Sequence, residues 1–261
     1  MDTSDLANRM KEYEMRDRYF LQKRIPVAIR VDMRAGHTFT RGFKRPFDDI
    51  FMKSMQETAK YMCENTGNAK FAYVQSDEIT IILVDYDTLE TDCWFNYRTD
   101  KLCSISASMA TMAFNKYFSE NVDKYNSDPE SSGVQANWYL AAREKGAMFD
   151  ARVFNIPKEE VTNLVYWRQL DAARNSIQMV GQANFSHSEL QGKNCNEIQD
   201  MLHELRGINW NDYPTYLKRG TCVVKKETSA MHSEWVIDDN IPIFKGEGRD
   251  YIEQLVYCQE E

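Results

Sequence analysis

An α+β fold, an antiparallel sheet with helices on one face, is what this 261-residue sequence predicts. Three observations lead there. Pro26-Val27-Ala28-Ile29-Arg30-Val31-Asp32 is a short apolar run that opens on proline and closes on a carboxylate. Segment 71–84 is a hairpin turning at Ser76-Asp77, with a second arm apolar enough for a central strand. Met148–Ile156 returns as a further strand, and helical patterns separate the three. The order strand, helix, hairpin, helix, strand is the split βαβ, ferredoxin-like layout.

Taken in order, residues 5–20 form a helix with Leu6, Met10, Tyr13 and Met15 on a rough stripe. After the first strand, segment 33–46 contains Gly36, Gly42 and Pro46 and doubles back as a loop. A helix over about 47–65 places Phe47, Ile50, Phe51, Met55, Ala59 and Met62 on one face, with Gly67 as its stop. The helix of 99–121 is rich in small residues, which suits close packing on a sheet. Polar segment 123–147, with Pro129 and Gly133, reads as an insertion or mobile loop. From Pro157 the character becomes helical: Lys158–Gln182, then Asn194–Leu205, then a compact stretch 210–220 and a last strand, Thr221–Lys225. Two domains are expected, a catalytic 1–156 with its N-terminal helix and a mainly helical 157–261 packed on it with a returning strand.

Composition narrows the class. Hydrophobic content of 43% and aromatic content of 12% supply a core. No run of about 18 apolar residues can span a membrane, and Met1-Asp2-Thr3-Ser4-Asp5 lacks the apolar run of a signal peptide. Cysteines 63, 93, 103, 195, 222 and 258 include no C-x-x-C pair, so reduced thiols in the cytoplasm are expected. A net charge of −8 argues against coating a polyanion indiscriminately, while basic clusters such as Arg41/Lys44/Arg45 leave room for a local groove. The acidic Glu260-Glu261 tail reads as solvent-exposed.

The chemistry centres on Asp32, Asp77 and Glu78. In a split βαβ sheet the first strand lies beside the central hairpin, so these carboxylates converge. Adjacent carboxylates on an apolar hairpin repel and lose hydration unless a cation neutralises them. Asp32 and Asp77 are expected to hold two Mg²⁺ with the Met33 carbonyl, and Glu78 is a further ligand or an anchor behind them. Backbone N–H groups of 33–37, including Arg34, form a possible anion nest to which His37, Lys44 and Arg45 add charge. Arg98 and Lys101 open the second helix and are expected to reach the same phosphates. Arg152 is either an ion-pair residue at the core edge or a triphosphate contact. Trp167-Arg168-Gln169 and Asn175-Ser176-Ile177-Gln178 read as a helix packing through Trp167 and Ile177.

The motifs Val31–Phe43, Tyr73-Val74-Gln75-Ser76-Asp77-Glu78, Phe149-Asp150-Ala151-Arg152 and Tyr166-Trp167-Arg168-Gln169 resemble the tRNA-His guanylyltransferase family, in particular its bacterial and phage branch. The resemblance spans about residues 5–225. It implies a polymerase/cyclase-like palm that extends RNA in the reverse, 3′-to-5′ direction. The tRNA 5′ end, adenylylated by ATP or carrying a triphosphate, is attacked by the 3′-hydroxyl of an incoming nucleotide such as GTP. It further implies metals on Asp32, Met33 and Asp77 and nucleotide contacts from His37, Arg45, Ser76, Lys101 and Arg152, with Asn175 nearby. It also implies a homotetramer. Met33 departs from the glycine usual after the first aspartate. Ala173 stands where eukaryotic members carry a histidine, which favours templated repair of 5′-truncated tRNAs over obligatory marking of tRNA-His. A palm-type nucleotide cyclase or signalling nucleotide synthetase and a non-catalytic RNA-binding protein are the alternatives.

Overall fold

The computed structural model describes residues 3–229 and 232–257; Cys258 and the acidic tail lie outside them. Its strands are β1 (Val27–Met33), β2 (Ala69–Gln75), β3 (Glu78–Leu83), β4 (Phe149–Asn155), β5 (Thr221–Ser229) and β6 (His232–Asp238). They form one antiparallel sheet in the order β4-β1-β3-β2-β5-β6. The first four have the split βαβ arrangement that the order of elements predicts.

Helices α1 (Asp5–Arg16), α2 (Gly36–Phe39), α3 (Asp49–Asn65), α4 (Thr99–Asn126) and α5 (Gly133–Lys145) occupy the first part of the chain. Helices α6 (Lys158–Asn184), α7 (His187–Leu190), α8 (Cys195–Arg206), α9 (Thr215–Arg219) and α10 (Asp250–Val256) follow. Strand alternation sends Val27, Ile29, Val31, Ile79 and Ile81 to one face, where Met55, Ala59 and Met62 of α3 and Phe114 and Phe118 of α4 pack. Ala28, Phe71, Tyr73 and Ile82 point to the other face, against Val161 and Val165 of α6 and Ile252 and Val256 of α10. The palm helices α3 and α4 thus share one face, as expected, and the C-terminal helices α6 and α10 cover the other. Strand β3, mostly apolar and buried throughout, requires a second layer. A third cluster joins Ile177 and Val180 of α6 to Ile198 and Leu202 of α8 and to Trp210, fixing the C-terminal half of α6 over one end of the sheet.

Segment 123–147 is not a mobile loop. The helix α4 runs on to Asn126 and α5 follows, anchored by buried Tyr139 and Ala142. Two anchors give too sparse an apolar period to be seen in sequence. The returning strand expected at 221–225 is longer, and it is followed by β6 and by α10. Helix α1 buries none of its residues, so its apolar stripe makes no core.

Candidate active site

The C-terminal end of β1 and the two-residue turn joining β2 to β3 meet at one end of the sheet. Asp32 lies between Glu78 on β3 and Asp150 on β4 in the strand register. The Met33 N–H donates to the Asp77 carbonyl at 3.1 Å, bringing Asp77 beside Asp32. Ser76 turns the chain with φ 49°. At Gly36, the first residue of α2, a Cβ would fall on the Asp77 Oδ2. Glycine there lets the carboxylate sit against the loop backbone.

Asp32 is half-buried, and its pKa is raised by burial first and then by Asp77, Glu78 and Asp150. Glu78 has a different environment. Its Oε1 lies 2.8 Å from Arg168 Nε and 3.4 Å from Arg30 Nε, with all three side chains largely buried. Arg168 and Arg30 thus neutralise Glu78, which fits the anchor among the two roles expected of it. Burial lowers the Arg30 pKa. Arg168 also pairs with Asp171 at 3.0 Å. The expected packing through Trp167 is corrected, because Trp167 is 54% exposed and its ring meets the Arg168 and Arg30 guanidiniums at 4.6 and 5.4 Å. Gln169 is the buried member of that motif, donating to the Pro242 carbonyl and accepting from Phe244 N–H.

Beside Asp77 opens a cavity of about 460 Å³. His37, Lys44 and Arg45 border it from the loop, Gln75, Ser76 and Asp77 from the hairpin, and Asn175 from α6, with Phe47, Phe51, Met52 and Met179 as apolar wall. The loop is held from behind. Buried Asp48 accepts from Lys44 N–H at 2.9 Å, from Phe51 N–H at 2.9 Å and from the Tyr139 hydroxyl at 2.6 Å. Trp138 packs over Gly42, which has φ 82°, and the Gln135 side-chain amide donates to the Gly42 carbonyl. Helix α5 thus shapes the cavity without lining it.

Other expected residues are placed elsewhere. Arg34 has an exposed side chain, and its N–H donates to the Met148 carbonyl. Arg152 is exposed, opposite Arg30 in the register and 3.6 Å from Asp150. Arg98 and Lys101 lie at the far end of the sheet: Thr99 N–H donates to Tyr19 O, Leu21 N–H to Tyr97 O, and Gln22 N–H to Asn155, the partner of Val27. Asp32 lies five steps along β1 from that end, roughly 17 Å at about 3.3 Å per residue. The two side chains do not reach the cavity of their own chain. Sequence reading missed Arg30, although its spacing of two from Asp32 puts both on one strand face.

The donor set suits a hard divalent cation. No cluster of three or more His, Cys, Asp or Glu side chains stands ready among the described residues. Mg²⁺ needs no such cage, since it binds through one or two carboxylates and completes its shell with phosphates and water. Asp32, Asp77 and the Met33 carbonyl supply oxygens of that kind, and Asp32, its pKa raised by burial first and then by its acidic neighbours, is a carboxylate whose ionised form a cation would stabilise.

Residues 7–157 match the family model described as Thg1, tRNAHis guanylyltransferase. A bacterial tRNAHis guanylyltransferase-like protein solved with ATP superposes with a TM-score of 0.84 at 40% identity, covering 98% of this chain and 100% of that one. A structure of such a protein with GTP gives 0.76 at 36% identity and the same coverage. The Saccharomyces cerevisiae tRNAHis guanylyltransferase is 26% identical over 218 residues, 77% of this chain and 82% of its own. The antiparallel palm-like sheet, the carboxylates at its end and these likenesses agree: the chain belongs to the tRNAHis guanylyltransferase family, whose members are nucleotidyltransferases.

Proposed function

We propose that this enzyme adds nucleotides in the 3′-to-5′ direction to the 5′ end of tRNA, with Mg²⁺, and that its main task is templated repair of 5′-truncated tRNAs. The observation that carries this reading is the cavity joining Asp77 to the cationic loop His37–Arg45. A triphosphate held between them would have its charge met by Lys44, Arg45 and His37 on one side and by cations at Asp77, with Asp32 and Met33 beside it, on the other. Two cations held by Asp32, Asp77 and the Met33 carbonyl would supply activation of the attacking hydroxyl and charge neutralisation at the triphosphate. Ser76 and Asn175 orient the nucleotide, and the exposed Arg34 and Arg152 are available to RNA phosphates. The solved relatives hold ATP and GTP, which supports both as substrates here. Repair rather than obligatory tRNA-His marking rests on Ala173, half-buried on α6. The resemblance adds a homotetramer to the proposal. No helix among the described residues is long and apolar enough to cross a membrane.

The test is a 5′-extension assay with Mg²⁺, ATP, GTP and tRNAs lacking the first nucleotide. Addition of the nucleotide complementary to the opposing base is expected, and Asp77→Ala should abolish it in a folded protein. No extension from monophosphorylated or triphosphorylated ends, or full activity of a folded Asp77→Ala variant, would overturn the reading.

A further inference from the structure

Gln75 ends β2 and is 5% exposed, yet it borders the cavity beside Ser76 and Asp77. Its Oε1 is sealed from solvent and accepts no hydrogen bond from the described residues. A buried amide oxygen in that state has lost water without replacement, and native structures pair such groups. Most nearby protein donors are engaged elsewhere. Arg30 Nε and Arg168 point to Glu78 and Asp171, the Tyr73 hydroxyl donates to the Arg219 carbonyl, and the Asn175 amide donates to Asp171; Arg30 Nη2, buried and likewise without a partner, makes no bond to Gln75 Oε1. Asp77 and Glu78, its neighbours across the turn, bring carboxylate acceptors and no side-chain donor.

We propose that Gln75 Oε1 accepts a hydrogen bond from the nucleoside part of the bound nucleotide, so that Gln75 is a specificity-determining residue. The triphosphate does not meet this need, because its ionised oxygens are acceptors. The donors a nucleotide offers are ribose hydroxyls and the amino or imino N–H groups of its base. Either is a neutral donor to a buried acceptor, the arrangement that rejects an analogue lacking the donor. The inference rests on the cavity being a nucleotide site and adds which part of the nucleotide is read there.

Calorimetric titration of the full-length protein tests it in Mg²⁺ with ATP, GTP, their 2′-deoxy and 3′-deoxy forms, inosine and purine-riboside triphosphates, and inorganic tripolyphosphate. Wild type is expected to bind an analogue lacking the relevant donor about tenfold more weakly, the size of one neutral hydrogen bond. A sugar analogue showing that loss identifies a ribose hydroxyl as the donor, and a base analogue showing it identifies the base. Gln75→Leu should weaken the parent nucleotide to the same extent, abolish the difference between parent and analogue, and leave tripolyphosphate binding unchanged. Equal binding of all nucleotides by wild type, unchanged affinities in Gln75→Leu, or analogue losses that persist in Gln75→Leu would each overturn the proposal. So would a parallel loss of tripolyphosphate. The wild-type series stands even if the variant does not fold. Failure of RNA extension with these binding differences intact would remove the polymerase reading alone.

Discussion

At the scale of single residues, the two acidic positions that sequence groups together behave differently. Asp32 is held among like charges, and its pKa is raised by burial and then by Asp77, Glu78 and Asp150. A raised folded-state value means that the folded protein favours the neutral carboxyl. Its ionisation therefore costs stability as pH rises from the ordinary carboxylate range through the raised value, and that cost persists at neutral pH. Asp32→Asn is expected to raise the Tm of the metal-free protein and to abolish nucleotide transfer; a lowered Tm in thermal denaturation would contradict the charge account. Such an exchange of stability for function is common at active sites. Glu78, by contrast, is compensated by Arg168 and Arg30. Arg168→Met leaves a buried carboxylate with one of its two arginines and should lower unfolding free energy by about 3 kcal/mol in urea titrations. The exposed Arg174→Ala should stay within about 0.5 kcal/mol.

At the scale of elements, α5 acts through the loop it supports. Tyr139 donates to Asp48, the same carboxylate that fixes Lys44 N–H and caps α3. Burial, with the bond to Asp48, pushes the Tyr139 pKa well up, so the hydroxyl remains a donor at neutral pH. Tyr139→Phe removes one hydrogen bond and should cost about 1 kcal/mol. Because the loop carries His37, Lys44 and Arg45, the expected kinetic signature is a raised KM for nucleotide with kcat little changed. A fall in kcat at constant KM would place Tyr139 in the chemical step instead.

At the scale of the whole molecule, β5 and β6 extend the sheet begun by β4 and β1, and α6 contributes to two of the three apolar clusters. Gln169 ties α6 to Pro242 and Phe244, which closes the second face against Tyr73 and Tyr251. A continuous sheet between shared layers predicts a single calorimetric transition. Phe244→Ala, at a fully buried site, should lower the stability of that one transition by about 3–5 kcal/mol. Two separable transitions would instead favour independent domains divided near residue 156.

The sequence by itself determined what depends on local pattern. Apolar alternation and a Ser-Asp turn placed β1, β2 and β3, periodic helices placed α3, α4, α6 and α8, and their order specified the sheet that brings Asp32 to Asp77. Tertiary structure decided the rest, because partners distant in the chain set the environment of each charge. Only the register shows Asp32 between Glu78 and Asp150, and only α6 packing shows that arginines answer Glu78. The placement of Arg98 and Lys101 also waited for three dimensions: the direction of α4 across the sheet puts its first turn at the end opposite the carboxylates. Helix α5, with two buried anchors in a polar stretch, has too little apolar period to be read locally, and it becomes a support for the cavity only through its contact with Asp48.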